Sequence, residues 1–89
     1  MFGVSERLYL ITNDRAWLIE SKPDGTFLFG IPTDGFVGDT WHPKVDEAKA
    51  QASYADNAIA GPWKAVPSDV ADAVEFCKAQ LTRAHRRTN

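Results

Sequence analysis

Through the first forty or so residues the apolar positions follow a strand-like pattern, and after Pro43 they change period. "RLYLITN" is apolar and β-prone, and "AWLIES" follows after the turn residues Asn13-Asp14. "KPDGT" sets Pro23 at the second turn position, Asp24 next, and Gly25 where a positive φ is needed. That is the chemistry of a type I turn with a glycine bulge, which closes a hairpin. "TFLFGI" supplies a third strand, with Phe27, Phe29 and Ile31 alternating against Leu28 and Gly30. A second turn signal of the same kind, "PTDG", precedes "FVGDTW", the expected fourth strand. Two such turns about ten residues apart predict an antiparallel meander.

From Pro43 onward the spacing is helical. Val45, Ala48, Ala52, Ala55 and Ile59 fall near one face, with Asp46 and Glu47 at the positive end of the helix dipole. Gly61-Pro62 ends this helix, and "WKAV" offers a short fifth strand. "PSDVADAVEF" reads as a helix start, with Ser68 as N-cap and Asp69 and Asp72 near the dipole's positive end. Val70, Val74, Cys77, Leu81 and Ala84 form its apolar stripe, and residues 84–89 form a frayed tail. The order β-β-β-β-α-β-α predicts a small α+β protein, one domain over residues 1–89. Its antiparallel meander has four to five strands, and both helices pack on one face.

Composition narrows the chemistry. Eighty-nine residues hold one core, and ten aromatics can supply most of it. No apolar run approaches the length of a membrane span, and "MFGVSERLYL" lacks the basic start and apolar stretch of a signal peptide. A cytoplasmic location is expected. The single cysteine, Cys77, can form neither an internal disulfide nor a cysteine zinc cluster, and on the apolar stripe it reads as a small buried hydrophobe. No metal and no cofactor are expected.

Asp39, Thr40 and His42 come nearest to a catalytic set, since a carboxylate beside a histidine can serve as a general base. On a strand, however, Asp39 and Thr40 point to opposite faces, and no nucleophile or second histidine lies nearby in sequence. The structural expectation is a strand end with backbone hydrogen bonds and Trp41 packed inward. The glycines match no phosphate-binding loop. A non-enzymatic protein is expected.

Two surfaces remain. The net charge of −2 is split: residues 1–76 hold six Lys/Arg and twelve acids, whereas residues 77–89 hold Lys78, Arg83, Arg86 and Arg87 and no acid. These four could grip nucleic-acid phosphates, or simply complement the negative end of a helix. With no aromatic interleaved among them, nucleic acid is the alternative reading. The aromatics carry the first one. Leu8 and Leu10 alternate with Tyr9 and Ile11, so the first strand is apolar on both faces. Either the helices cover more of the sheet, or part of the second face meets a partner. The candidate surface is Tyr9, Trp17, Phe36, Trp41 and His42. It would engage another protein or a second copy of this chain, as a small binding or regulatory module.

"VGDTWHPKVDEAKAQASYADN" followed by "GPWKAVP" resembles small bacterial proteins of unknown function. In these a strand ending in "GDTWH" leads into an acidic, alanine-bearing helix and then a "W-x-x-V-P" strand. The similarity covers residues 36–67 and, more loosely, the N-terminal hairpin; Lys44 stands where a serine cap is common. The resemblance implies the same element order, a bacterial cytoplasmic setting and a strand-to-helix joint built as a unit. It implies no activity, substrate or cofactor.

Overall fold

A computed structural model describes residues 6–12, 15–33, 35–55 and 62–87, with side chains described to residue 84. The strands are β1 (Glu6–Ile11), β2 (Arg15–Lys22), β3 (Gly25–Pro32), β4 (Gly38–His42) and β5 (Lys64–Ala65); the helices are α1 (Val45–Ala55) and α2 (Ala73–Arg87). The strands form one antiparallel sheet in the order β4-β3-β2-β1-β5. The α+β class, the meander and the element order are those the sequence pattern predicts.

The placing of the helices is not. β2 lies at the centre of the sheet and is buried on both sides. Ala16 and Leu18 join Ile31 of β3 and Ala73, Cys77 and Leu81 of α2 in one core. Trp17 and Ile19 point the other way and join Leu10, Leu28 and Ala48 and Ala52 of α1 in a second. The helices therefore cover opposite faces, which corrects the one-face expectation. The physical reason is the unbroken apolar run Ala16-Trp17-Leu18-Ile19, which needs cover on both sides. Leu18, Ile19 and Ile31 are fully buried, each stabilising by roughly 1.5–3 kcal/mol.

Helix coverage is offset as well as opposite. α1 lies over β2, β3 and β4, and α2 over β1, β2 and the near side of β3, with no contact to β4. α1 comes close because its contact residues, Ala48 and Ala52, are methyls. Ala55 of the expected stripe is exposed, and Ile59 lies outside the described residues. The Lys44 carbonyl accepts the Ala48 N–H at 3.2 Å and opens this helix.

Turn chemistry agrees at one hairpin and differs at the next. Pro23-Asp24 joins the paired Lys22 and Gly25, and Gly25 takes φ +147°, where a side chain would be strained. The β3–β4 connection is longer than "PTDG" suggests. Its ladder stops at Gly30–Gly38, and β4 starts at Gly38, not Phe36. Pro32 has no N–H to extend the ladder, and Gly35 turns the chain at φ +104°. Asn13 and Asp14 lie outside the described residues, but Thr12 closes that connection by donating both N–H and Oγ1–H to the Arg15 carbonyl, at 2.9 and 3.1 Å.

The start of α2 is also corrected. Ser68 and Asp69 sit in a turn closed by the Val70 N–H to the Pro67 carbonyl at 3.1 Å. Arg7 of β1 clamps that turn: Nη1 donates to the Val70 carbonyl at 2.8 Å and Nη2 to the Pro67 carbonyl at 3.1 Å. The N-cap is Asp72, whose carboxylate accepts the Glu75 N–H at 3.2 Å while its carbonyl accepts the Phe76 N–H at 3.0 Å. The buried stripe is accordingly Ala73, Cys77 and Leu81, and the helix continues to Arg87, past the expected start of a tail. Asp72→Ala is expected to lower stability by about 1 kcal/mol. Ser68→Ala should leave it unchanged, and urea unfolding of the two variants separates the assignments.

Candidate functional site

The five candidate surface residues do not share a surface. Tyr9 lies under α2, its ring edge-on to Phe76 with centroids 5.1 Å apart. Trp17 lies on the opposite face, only 5% exposed, with the Arg15 guanidinium 5.5 Å from its ring centroid. Trp17 is a core residue and Tyr9 is partly buried against the other core, which corrects their assignment to one binding face. The cause is strand order: β1 and β2 are inner strands with helix cover, and β4 is an edge.

Trp41 and Phe36 are open. Trp41 is 55% exposed and Phe36, in the β3–β4 connection, 97%. The inward packing expected for Trp41 is overturned. Trp41 pairs across the ladder with half-buried Phe27, on the face of α2 but beyond its reach. Its indole lies over Gly25: a Cβ there would overlap the indole ring. The Lys22 ammonium stands 5.5 Å from the Phe27 ring centroid, completing a small aromatic patch with one cation.

Alternation on β4 sends its remaining groups to different sides. Asp39 pairs with Phe29 and shares the face of Trp41, whereas Thr40 and His42, opposite Leu28 and Thr26, share the face of α1. Thr40 Oγ1 and His42 Nε2 share a 2.7 Å hydrogen bond. Asp39 and His42 therefore do not meet as a carboxylate–imidazole pair. Among the described residues, no three His, Cys, Asp or Glu side chains converge to hold a metal ion. Cys77 is wholly buried, and burial, with a smaller contribution from the Glu20 carboxylate, pushes its thiol up to about 12. A thiol so placed is no nucleophile at neutral pH.

The basic end is partly accounted for. Lys78 Nζ reaches Glu75 Oε2, one helical turn earlier, at 3.4 Å, and Arg83 is exposed. The side chains of Arg86 and Arg87 lie outside the described residues. Among those described, no helix is long and apolar enough to cross a membrane.

Among the described residues, two concavities lie beside the sheet. One, about 430 Å³, is lined by Arg7, Glu20, Lys22, Val66 and Ser68. The other, about 470 Å³, lies between α1 and the β3–β4 end of the sheet. Its glycines, Gly30 and Gly38, sit directly opposite each other in the ladder. Their place in a groove was missed from sequence, although two glycines flanking a turn of an expected hairpin are a readable sign of a rung without side chains. No family model matches this chain, and neither does any curated protein or solved structure.

Proposed function

We propose that this protein is a small, non-enzymatic protein-binding module that receives an extended segment of a partner along the open edge of β4, with Trp41 as its anchor. The observation that carries the reading is the half-exposed indole of Trp41 on a terminal strand that α2 does not reach. Sheet edges attract further strands, and folded proteins usually blunt them with short strands or charges. The other edge of this sheet follows that practice: β5 is two residues long and one of them is Lys64. β4 runs for five residues, and among those described no strand pairs with its outer side. Strand addition supplies affinity through main-chain hydrogen bonds, and an exposed aromatic supplies specificity. Large aromatics dominate such interfaces when truncated. The separation of Asp39 from His42 supports a binding role over a catalytic one.

The test is retention of a partner from a bacterial lysate by the wild-type chain and by Trp41→Ala, with hydrogen exchange on the captured complex. The expected result is a partner bound about thirtyfold more weakly by the variant, as fits a hot-spot tryptophan. Amides of residues 38–42 should gain protection on binding. Equal retention by both forms, or protection confined to other strands, overturns the reading. Light scattering on the same samples shows whether the segment comes from a second copy.

A further inference from the structure

We propose that the groove between α1 and the β3–β4 end of the sheet binds a small, flat aromatic molecule carrying a hydrogen-bonding group at its edge. The inference does not rest on the β4 reading, because the groove faces α1 and Trp41 faces the other way.

The argument begins with two glycines. In an antiparallel ladder each rung raises two side chains from a given face. The Gly30–Gly38 rung raises none toward α1. A Cβ on Gly38 would meet nothing within 4 Å, so among the described residues the space above it is empty. A Cβ on Gly30 would come 3.3 Å from the six-membered ring of Trp17, so that ring covers Gly30 and walls the groove on its inner side. Leu28 and Thr40, paired on the next rung that faces α1, close one end, and Gln51 of α1 lines the groove opposite the sheet. The resulting volume, about 470 Å³, is within the range of small-molecule sites.

Shape and chemistry together select the ligand. A bare backbone floor beside a tryptophan ring admits a plate more readily than a branched body. Phe36 lines the groove while 97% exposed, so a second ring entering there gives it an apolar neighbour. Among the polar lining groups, the Thr40 hydroxyl and the Gln51 amide each both donate and accept, which suits a hydroxyl or ring N–H on the ligand edge. The Thr40 hydroxyl keeps acceptor capacity while bonded to His42.

The test is an amide-resolved NMR titration of the whole chain with 2-naphthol, using the saturated, non-planar decahydro-2-naphthol as a control of similar size. Saturable shifts are expected at Gly30, Gly38, Thr40 and the Trp17 indole N–H, with those of Trp41 unmoved. The control should bind about threefold to tenfold more weakly if ring stacking contributes its usual share. Gly38→Leu should abolish binding. It places its side chain in open space at a position without positive φ, so the fold should persist. Should its spectrum show unfolding, Thr40→Val decides instead, with about fivefold weaker binding of 2-naphthol expected from the lost hydroxyl. Trp41→Ala should bind 2-naphthol as the wild type does, which keeps this test separate from that of the β4 edge. Absence of saturable shifts, shifts centred on Trp41, binding unaffected by Gly38→Leu, or equal affinity for both probes overturns the proposal. So does a dimer in light scattering that excludes 2-naphthol, since the groove would then hold a second copy.

Discussion

Trp17→Ala is expected to lower the unfolding free energy by about 3–5 kcal/mol, a large share of the roughly 5–13 kcal/mol available to a domain of this size. The site cannot collapse around the loss. On β2 the indole packs with Leu10, Ile19 and Leu28, and its α1 neighbours, Ala48 and Ala52, are methyl groups with no reach. Across the ladder stands Gly30, which has no side chain to move into the void. A cavity therefore remains, and its cost adds to the lost transfer energy. Trp41→Ala, at a sheet edge and half exposed, should cost no more than about 1 kcal/mol. Urea unfolding followed by circular dichroism measures both. Equal losses at the two tryptophans would overturn the assignment of one to the core and the other to the edge.

Alkaline pH should expose the second large effect. The Cys77 thiol is raised from 9.0 to about 12 in the folded chain, by burial first and the Glu20 carboxylate second. In the unfolded chain it ionises near 9.0. Between those values the folded state holds a proton that the unfolded state has released, so folding takes one up. The contribution is fully present below the unfolded value and is lost as pH rises toward the folded one. Its slope is about 1.4 kcal/mol per pH unit. Unfolding free energies at about pH 8 and about pH 10.5 should thus differ less for Cys77→Ala than for the wild type. Tyrosine and lysine titrations are common to both proteins and cancel in the difference. Parallel pH dependences in the two proteins would show that the thiol is not held neutral by the core.

Element order was legible because it is written locally. The shift from period two to helical spacing at Pro43 and the Pro-Asp-Gly turn are short-range signals, and both are realised. The sidedness of the helices is a non-local property, since it depends on which way the chain crosses the sheet after β4. One clue was present: four consecutive apolar residues, 16–19, mark a strand buried on both faces. Asp72 and Ser68 both have side chains suited to capping, and only the clamp that Arg7 places on the Pro67–Val70 turn decides between them. The candidate surface suffered most. Trp17 and Trp41 both look like strand tryptophans, but strand order, set by long-range pairing, buries one and bares the other. Phe36 was placed on a strand and sits instead on the connection, because pairing stops at Gly38.

The offset of the two helices also sets a timetable for the nascent chain. The meander and α1 are made first, so the Trp17–Ile19 side of the sheet can close while synthesis continues. The Leu18–Ile31 side waits for α2, and the outer edge of β1 waits for β5. At ordinary translation rates the stretch from residue 64 to residue 87 takes roughly 1–5 s to emerge. During that interval one apolar side of the sheet faces solvent bare, within reach of chaperones that recognise such surfaces, and the arrival of α2 ends the exposure.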